Sequence, residues 1–299
     1  MTPTPLEETT LAGRRLLLKR EDVHPLGAFK WRGALPVLDR YAADGARAVV
    51  TASTGNHGAA TAWAASRVGL DAIVYAPATA SSAKLALMKD VGAEIRQTGA
   101  DLDEAKTEAR AHASQHGFPF FEDGAEPAQY QGYGAIADEI LDALPDPPAA
   151  VVVPLGNGAL VGGIGLTLRR RSPTTRVVAV AAKDAPVMVL SHQARQAVPC
   201  DQMATFADGL AVRVAIPYAV DILQRVVDDM LLVSERQLAT AVGRYAAAGI
   251  RVEGSAAASL AALDAIPELP GVIVLIVTGH NIDEGLYRRA VDSPGTFPD

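Results

Sequence analysis

A lysine near the start of the chain stands where a β-strand is predicted to end and a helix to begin. Lys30 lies in the segment Gly27–Gly33, and the segment Leu16–Glu21 before it, an apolar run closed by charged residues, predicts the strand. The spacing of apolar residues from Phe29 to Tyr41 predicts the helix. An amine in such a place can form a Schiff base with a carbonyl compound. Alone, Lys30 would be interpreted as a solvated surface cation, because lysine is rarely buried without a partner.

Two loops of small residues are candidate anion sites. Thr51–Gly58 follows the apolar run Ala46–Val50, and Leu155–Gly163 follows the buried-strand run Ala149–Pro154. A loop from a strand into a helix presents backbone N–H groups and the positive end of the helix dipole, so it can bind carboxylate or phosphate. Either loop alone is weak evidence, since glycine often serves only to reverse the chain.

The second loop also approximates the dinucleotide-binding pattern G-x-G-x-x-G, with one residue extra. Such a site needs an acidic residue at the end of the next strand, where it binds the ribose. The next predicted strand here, Val177–Ala181, is followed by Ala182 and Lys183. A dinucleotide site is therefore not favoured.

Eight short motifs follow one another along nearly the whole chain: Thr4–Leu6, Leu18–Asp22, Phe29–Ala34, Ser53–His57, Pro154–Val161, Ala207–Val212, Glu253–Ser255 and Thr278–Asn281. In order and interval they resemble the pyridoxal-phosphate enzymes of the tryptophan-synthase β fold, known as fold type II. The resemblance is closest to the threonine and serine dehydratases and serine racemase. It implies that the cofactor is pyridoxal 5'-phosphate, carried by Lys30 next to Phe29, and that Lys30 is also the base at the substrate Cα.

The resemblance implies roles for further residues. The loop that would bind the substrate carboxylate comprises Ser53, Thr54, Gly55, Asn56 and His57. Within it Asn56 would also face the cofactor, and Thr54 would be catalytic, at the position where serine racemases have a serine. The residues that would otherwise bind the cofactor are Gly156, Asn157, Gly158, Ala159, Leu160, Glu253 and Thr278.

Two of these positions leave alternatives open. The family usually has four glycines where this chain has Gly-Asn-Gly-Ala. The backbone donors survive that change if Asn157 adopts a left-handed conformation, which asparagine tolerates better than most residues.

Thr278, after the apolar run Val272–Val277, would meet the pyridine nitrogen and leave the ring neutral, which favours prompt loss of a β leaving group. The alternative is a threonine that caps the next helix.

The length of the chain and the alternation of apolar strand runs with helical patterns predict an α/β fold of two lobes, each with a mostly parallel open sheet flanked by helices. We expect a large cofactor-binding domain of residues 1–44 and 126–299 and a small substrate-carboxylate domain of residues 45–125. We also expect a homodimer.

Composition excludes several classes of partner. A net charge of −7 and a pI near 5.4 offer no basic surface to nucleic acid or anionic membranes. No apolar run reaches the ~20 residues of a membrane span, and the segment Met1–Glu8 does not resemble a signal peptide. The single cysteine, Cys200, suits a reducing compartment, so a cytoplasmic location is expected.

No metal site is expected. Related dehydratases and racemases can hold a divalent cation through a glutamate just after the strand that is here Val177–Val180. This chain has Ala181 there, and Val187 where an acidic partner is expected. Neither side chain can supply the oxygen ligands that such cations need.

The predicted function is that of a lyase which removes water and ammonia from a small β-hydroxy amino acid and leaves a 2-keto acid. A racemase, which needs a second acid-base group opposite Lys30, remains an alternative. So does a β-replacement or cyclising enzyme of a biosynthetic pathway, which would add another nucleophile to the same dehydrated intermediate. A non-catalytic ligand-binding protein is disfavoured by Lys30. Ala28 and Gly254 replace the family's usual serine and proline, so the substrate stays open.

Overall fold

Strands and helices alternate along the chain in the computed structural model, which describes residues 2–80, 82–267 and 269–299. The strands are β1 (Leu6–Leu11), β2 (Arg14–Arg20), β3 (Ala48–Ala52), β4 (Asp71–Ala76), β5 (Ala93–Gln97), β6 (Ala150–Pro154), β7 (Arg176–Ala182), β8 (Asp229–Val233) and β9 (Ile273–Val277). The helices are α1 (Trp31–Ala43), α2 (Asn56–Val68), α3 (Ser82–Asp90), α4 (Leu102–His116), α5 (Pro127–Ala143), α6 (Ala159–Arg171), α7 (Val187–Ala194), α8 (Pro217–Val226), α9 (Glu235–Ala247), α10 (Gly254–Ala261) and α11 (Glu284–Asp292). No described helix is long and apolar enough to cross a membrane.

The first of two compact units contains the chain up to Ala28 together with Tyr133–Asp299. Its six-stranded sheet has the order β1-β2-β9-β6-β7-β8. Strands β1 and β2 pair antiparallel and the other neighbours pair parallel. Every residue of β6 and β9 is buried, as expected for central strands of a parallel sheet that is covered on both faces.

The second unit, Phe29–Gly132, has a three-stranded parallel sheet of the order β3-β4-β5. Helix α4 packs on this sheet through Ala105, Ala109 and Ala113, which follow one another at four-residue intervals and so share one face. The helix starts at a capping residue, because the Asp101 carboxylate accepts hydrogen bonds from two backbone N–H groups of the first turn. The two mostly parallel sheets with flanking helices confirm the predicted fold class.

The boundaries between the two units differ from the expected ones. We expected divisions after residues 44 and 125, whereas the structure places them after Ala28 and Gly132. The reason is the packing of helix α1, which was assigned to the larger domain. It lies against α2 of the second unit, where the indole rings of Trp31 and Trp63 meet edge to face with centroids 6.0 Å apart.

Within the second unit, α1 and the start of α5 approach so closely that only glycine fits at one contact. A Cβ atom on Gly132 would lie 2.0 Å from the carbonyl oxygen of Arg32. We expect Gly132→Ala to destabilise the protein by about 1–3 kcal/mol, because the clash is with backbone and not with a side chain that could move. Urea unfolding should show a lower midpoint. Gly295→Ala, whose Cβ would meet nothing within 4 Å, is the control and should leave the midpoint unchanged.

Candidate active site

The side chain of Lys30 is held by a carboxylate. Strand β2 ends at Arg20 and helix α1 begins at Trp31, so Lys30 is the residue immediately before the helix. Its Nζ donates a hydrogen bond to Oδ2 of Asp123 at 2.5 Å and lies 5.2 Å from the centre of the Phe29 ring. The Lys30 side chain is 16% exposed. The amine is therefore fixed in place by a charge-assisted bond in a half-buried position, unlike a solvated surface cation.

Asp123 was not predicted as a site residue. Its Oδ1 accepts a hydrogen bond from the side-chain amide of Gln129 at 2.6 Å and lies 3.7 Å from Nδ1 of His57. Burial raises the pKa of the carboxyl, but the charge of Lys30 and the hydrogen bonds from Lys30 and Gln129 outweigh burial, so the pKa falls well below its usual value. Asp123 is therefore a carboxylate at neutral pH.

Asp123 is close to Lys30 because of a pairing that lies far away in sequence. The backbone N–H of Phe121 donates to the carbonyl of Val50 at 2.8 Å, which places this segment alongside strand β3. Lys30 and Asp123 are 93 positions apart, and no motif links them. Only the placement of this segment beside β3 could have indicated the contact.

The loop between β3 and α2 is ordered by its own serine. The hydroxyl oxygen of Ser53 accepts hydrogen bonds from the N–H groups of Gly55 at 3.1 Å and Gly58 at 3.0 Å. Helix α2 then begins at Asn56. Ser53 thus satisfies two backbone N–H groups that were expected to bind an anion, and its oxygen fixes the conformation of the loop.

The imidazole of His57 is buried and bonded within the second unit. Its Nε2 lies 3.0 Å from the hydroxyl of Thr51 and 3.4 Å from the carbonyl of Phe121. Burial lowers the pKa of His57, and the nearby charge of Asp123 opposes this shift without reversing it. The ring is therefore neutral at pH 7, with its Nδ1 edge facing Asp123.

In the first unit, the glycine turn after β6 is packed against backbone. A Cβ atom on Gly156 would lie 2.3 Å from the carbonyl oxygen of Gly209. The N–H of Gly209 in turn donates to the hydroxyl of Ser255 at 2.9 Å. Three motifs recognised separately in the sequence thus meet in this unit, and their contacts leave room only for glycine at Gly156.

The left-handed residue of this turn is Gly158, with φ of +93°, and not Asn157. Asn157 does not adopt the left-handed conformation that was considered for it. Its side-chain oxygen instead accepts a hydrogen bond from the N–H of Ala159 at 3.1 Å, at the first position of helix α6. Asparagine therefore replaces a glycine here by forming a local turn through its side chain.

Thr278 follows the last residue of β9 and is buried, with 2% of its surface exposed. Its hydroxyl has no hydrogen-bond partner among the described residues. Interpretation as a helix cap is wrong, because the next helix, α11, is capped by Asp283, whose carboxylate accepts from the N–H of Leu286 at 3.0 Å. A buried hydroxyl without a partner costs about 1–3 kcal/mol, so its retention points to a ligand.

Glu253 and the glycine after Thr278 adjoin one another. The N–H of Glu253 donates to the carbonyl of Gly279 at 3.0 Å, and the carboxylate of Glu253 would lie 3.1 Å from a Cβ on Gly279. The next residue, His280, donates its N–H to the carbonyl of Gly27 at 2.9 Å. Backbone hydrogen bonds thus join Glu253 and Gly27 to the residues that follow β9 in the first unit.

Among residues 2–80, 82–267 and 269–299, no group of three or more histidine, cysteine or acidic side chains is arranged to hold a metal ion.

Comparisons with known proteins show the family of the chain. A family profile described as "Pyridoxal-phosphate dependent enzyme" matches residues 1–279. The L-threonine ammonia-lyase of Geobacter sulfurreducens is 34% identical over 275 residues, which cover 91% of this chain and 68% of that protein. The chain spans about half the length of two chloroplastic plant threonine dehydratases that also match, 47% and 53%.

Two solved structures share the fold over nearly the whole chain. The processed form of threonine deaminase isoform 2 from Solanum lycopersicum superposes with a TM-score of 0.90 at 28% identity, covering 97% of this chain and 88% of that chain. Maize serine racemase superposes with a TM-score of 0.89 at 26% identity, covering 97% and 92%. The sequence motifs, the site geometry and the family match agree, and the chain belongs to the family of pyridoxal-phosphate dependent enzymes.

Proposed function

We propose that the chain is an ammonia-lyase, which removes water and ammonia from a small β-hydroxy amino acid such as threonine or serine and leaves a 2-keto acid. The observation that carries the proposal is the half-buried amine of Lys30, fixed by Asp123 at 2.5 Å immediately before helix α1. The threonine ammonia-lyase among the relatives supports the reaction class.

Two features of the first unit fit pyridoxal phosphate. The turn at Gly156 is closed by the Gly209 carbonyl, so backbone N–H groups of the turn and of the start of α6 can approach a phosphate closely. The buried hydroxyl of Thr278, without a partner among the described residues, can donate to the pyridine nitrogen. When bound, pyridoxal phosphate supplies the electron sink for loss of the Cα proton.

The remaining roles are assigned residue by residue. Gly156–Leu160 would hold the phosphate, and Glu253 and Thr278 the ring. Lys30 would carry the cofactor, beside Phe29, and take the proton from the substrate Cα.

The loop Ser53–His57 would bind the substrate carboxylate. Backbone N–H groups at the start of α2 are suited to an anion. Thr54 and Asn56 would contact the substrate, and Asn56 also the cofactor. Ser53 and His57 would have a supporting part, because Ser53 orders the loop and neutral His57 is bonded to Thr51 and Phe121.

Thr278→Val tests whether the hydroxyl of Thr278 contacts the cofactor or only stabilises the fold. We expect turnover to fall about 10–100-fold, because one hydrogen bond to the cofactor is lost. The melting temperature of the cofactor-free protein should stay the same or rise, since an unsatisfied buried hydroxyl is replaced by a methyl group. Thr175→Val is the matched control: its hydroxyl donates to the carbonyl of Pro148 at 2.8 Å, so it should lower the melting temperature and spare turnover. If Thr278→Val lowers the melting temperature and spares turnover, Thr278 does not contact the ligand.

The proposed reaction is tested with a panel of amino acids on the cofactor-loaded enzyme. Keto acid and ammonia should appear in equal amounts from threonine or serine. Chiral analysis of unreacted substrate in deuterated water distinguishes a racemase, and exchange of enantiomers faster than keto-acid formation would contradict the lyase proposal. Thr54→Ala should slow elimination about 10–100-fold without changing which enantiomer reacts.

A cytoplasmic location and a homodimer complete the proposal. The location is supported by the single cysteine, which suits a reducing compartment. Analytical ultracentrifugation tests the dimer, and a monomer at micromolar concentration would contradict it.

A further inference from the structure

The carboxylate of Asp123 is rigidly oriented. Gln129 donates its side-chain N–H to Oδ1 of Asp123 at 2.6 Å and accepts the backbone N–H of Gly124 at 2.7 Å. Gln129 is 1% exposed. The neighbouring Tyr130 donates its hydroxyl to the carbonyl of Gly124 at 2.8 Å. Two side chains at the start of α5 therefore fix the turn that carries Asp123, and Oδ2 is left facing Lys30.

The Nζ atom of Lys30 faces the carboxylate of Asp123. Asp123 supplies a negative charge at 2.5 Å. His57 of helix α2 also faces this pair, with Nδ1 3.7 Å from Oδ1 of Asp123, and burial keeps its imidazole neutral. Gln129 of α5 carries no charge. Lys106 of α4 has a small electrostatic effect on His57. Among the described residues, Lys30 is therefore the cation that Asp123 contacts.

We propose that Asp123 is a positioning residue for the reaction, which holds the positive charge that Lys30 acquires when it takes the proton from the substrate Cα. The inference rests on the proposed role of Lys30 as the base. The Cα–H bond breaks, its electron pair stays with the substrate, and the proton forms an N–H bond on Nζ. The resulting ammonium is paired with the fixed Oδ2 of Asp123, through a hydrogen bond that is stronger for a cation than for a neutral amine.

The test is Asp123→Asn in the cofactor-loaded enzyme, which removes the charge and nearly preserves the shape. We expect kcat to fall about 10–100-fold with KM changed by less than about threefold, because the charge develops only during proton transfer. The kinetic isotope effect on kcat with α-deuterated substrate should increase, since proton removal becomes more rate-limiting.

A second measurement needs no turnover. In the resting enzyme the visible absorbance of the bound cofactor changes when the nitrogen that Lys30 contributes loses a proton. Without the neighbouring negative charge, that change should occur at a pH lower by about one unit or more. An Asp123→Asn enzyme with an unchanged absorbance titration and an unchanged isotope effect would overturn the proposal. If the wild type releases no keto acid from any amino acid, the proposed function fails, but the titration still tests Asp123.

Glu122→Gln is the matched control. It removes a carboxylate from the adjacent residue, whose partners are Lys106 and Arg110, so titration and isotope effect should match those of the wild type. Gln129→Leu is the second variant if Asp123→Asn does not fold. It frees the carboxylate without removing its charge, and should lower kcat by a smaller factor with an increased isotope effect. An unchanged isotope effect in a folded Gln129→Leu enzyme would also count against the proposal.

Discussion

Lys30→Ala is expected to abolish covalent cofactor binding and to lower turnover by at least about 10³-fold. The substitution removes both the amine that carries the cofactor and the base at the substrate Cα, so two functions are lost together. The fold should survive, because Lys30 precedes helix α1 and does not lie in its interior. Visible absorbance of the dialysed protein and keto-acid release measure the two losses.

Lys89→Ala is the control for Lys30. Lys89 is exposed in the last turn of helix α3, so its loss should change neither absorbance nor turnover. A Lys30→Ala protein that keeps a visible cofactor band after dialysis, or turns over substrate within tenfold of the wild type, would remove Lys30 from both roles.

Gly156→Ala is expected to weaken cofactor binding by about 100-fold or more. The added Cβ would lie 2.3 Å from the carbonyl oxygen of Gly209, and a backbone atom cannot turn away as a side chain can. The turn would have to shift, and its N–H groups would lose their alignment toward the phosphate. Titration of the cofactor-free protein, followed by absorbance, measures the dissociation constant.

Gly295→Ala is the control, because it adds a Cβ where nothing lies within 4 Å. Its dissociation constant for pyridoxal phosphate should equal that of the wild type. Dissociation constants of Gly156→Ala for pyridoxal and for pyridoxal phosphate show whether the variant has lost affinity for the phosphate group. If the variant loses the same factor in affinity for both compounds, the turn does not hold the phosphate.

The local elements of the fold were predictable because their signals are local. The run of apolar residues over Val272–Val277 predicts a buried strand, and β9 occupies residues Ile273–Val277 with every residue buried. The same holds for Ala149–Pro154 and β6. Parallel central strands show such continuous apolar runs because both of their faces are covered.

The unit boundaries were not predictable in the same way. Helix α1 follows the first strands of the large sheet in sequence, yet packs with α2 through Trp31 and Trp63. A helical pattern shows which face is apolar but not which neighbour covers it. Contacts between distant parts of the chain decide such a boundary.

The same distinction applies to the candidate site. Motifs identified Lys30, Gly156 and Thr278, since each stands at a predicted strand or helix end. Asp123 carries no such signal, and only the pairing of Phe121 with Val50 places it beside Lys30. The conformation of Asn157 was not predictable, because a side-chain turn, formed with the N–H of Ala159, takes the place of a left-handed backbone.

Borohydride reduction of the cofactor-loaded enzyme, followed by peptide mapping, tests the central claim most directly. Reduction makes the bond between cofactor and lysine permanent, so the modified residue can be read from the mass of one peptide. We predict stoichiometric labelling of Lys30, together with loss of the visible absorbance band. Labelling of another lysine, or of none, would contradict the assignment of Lys30 as the residue that carries the cofactor.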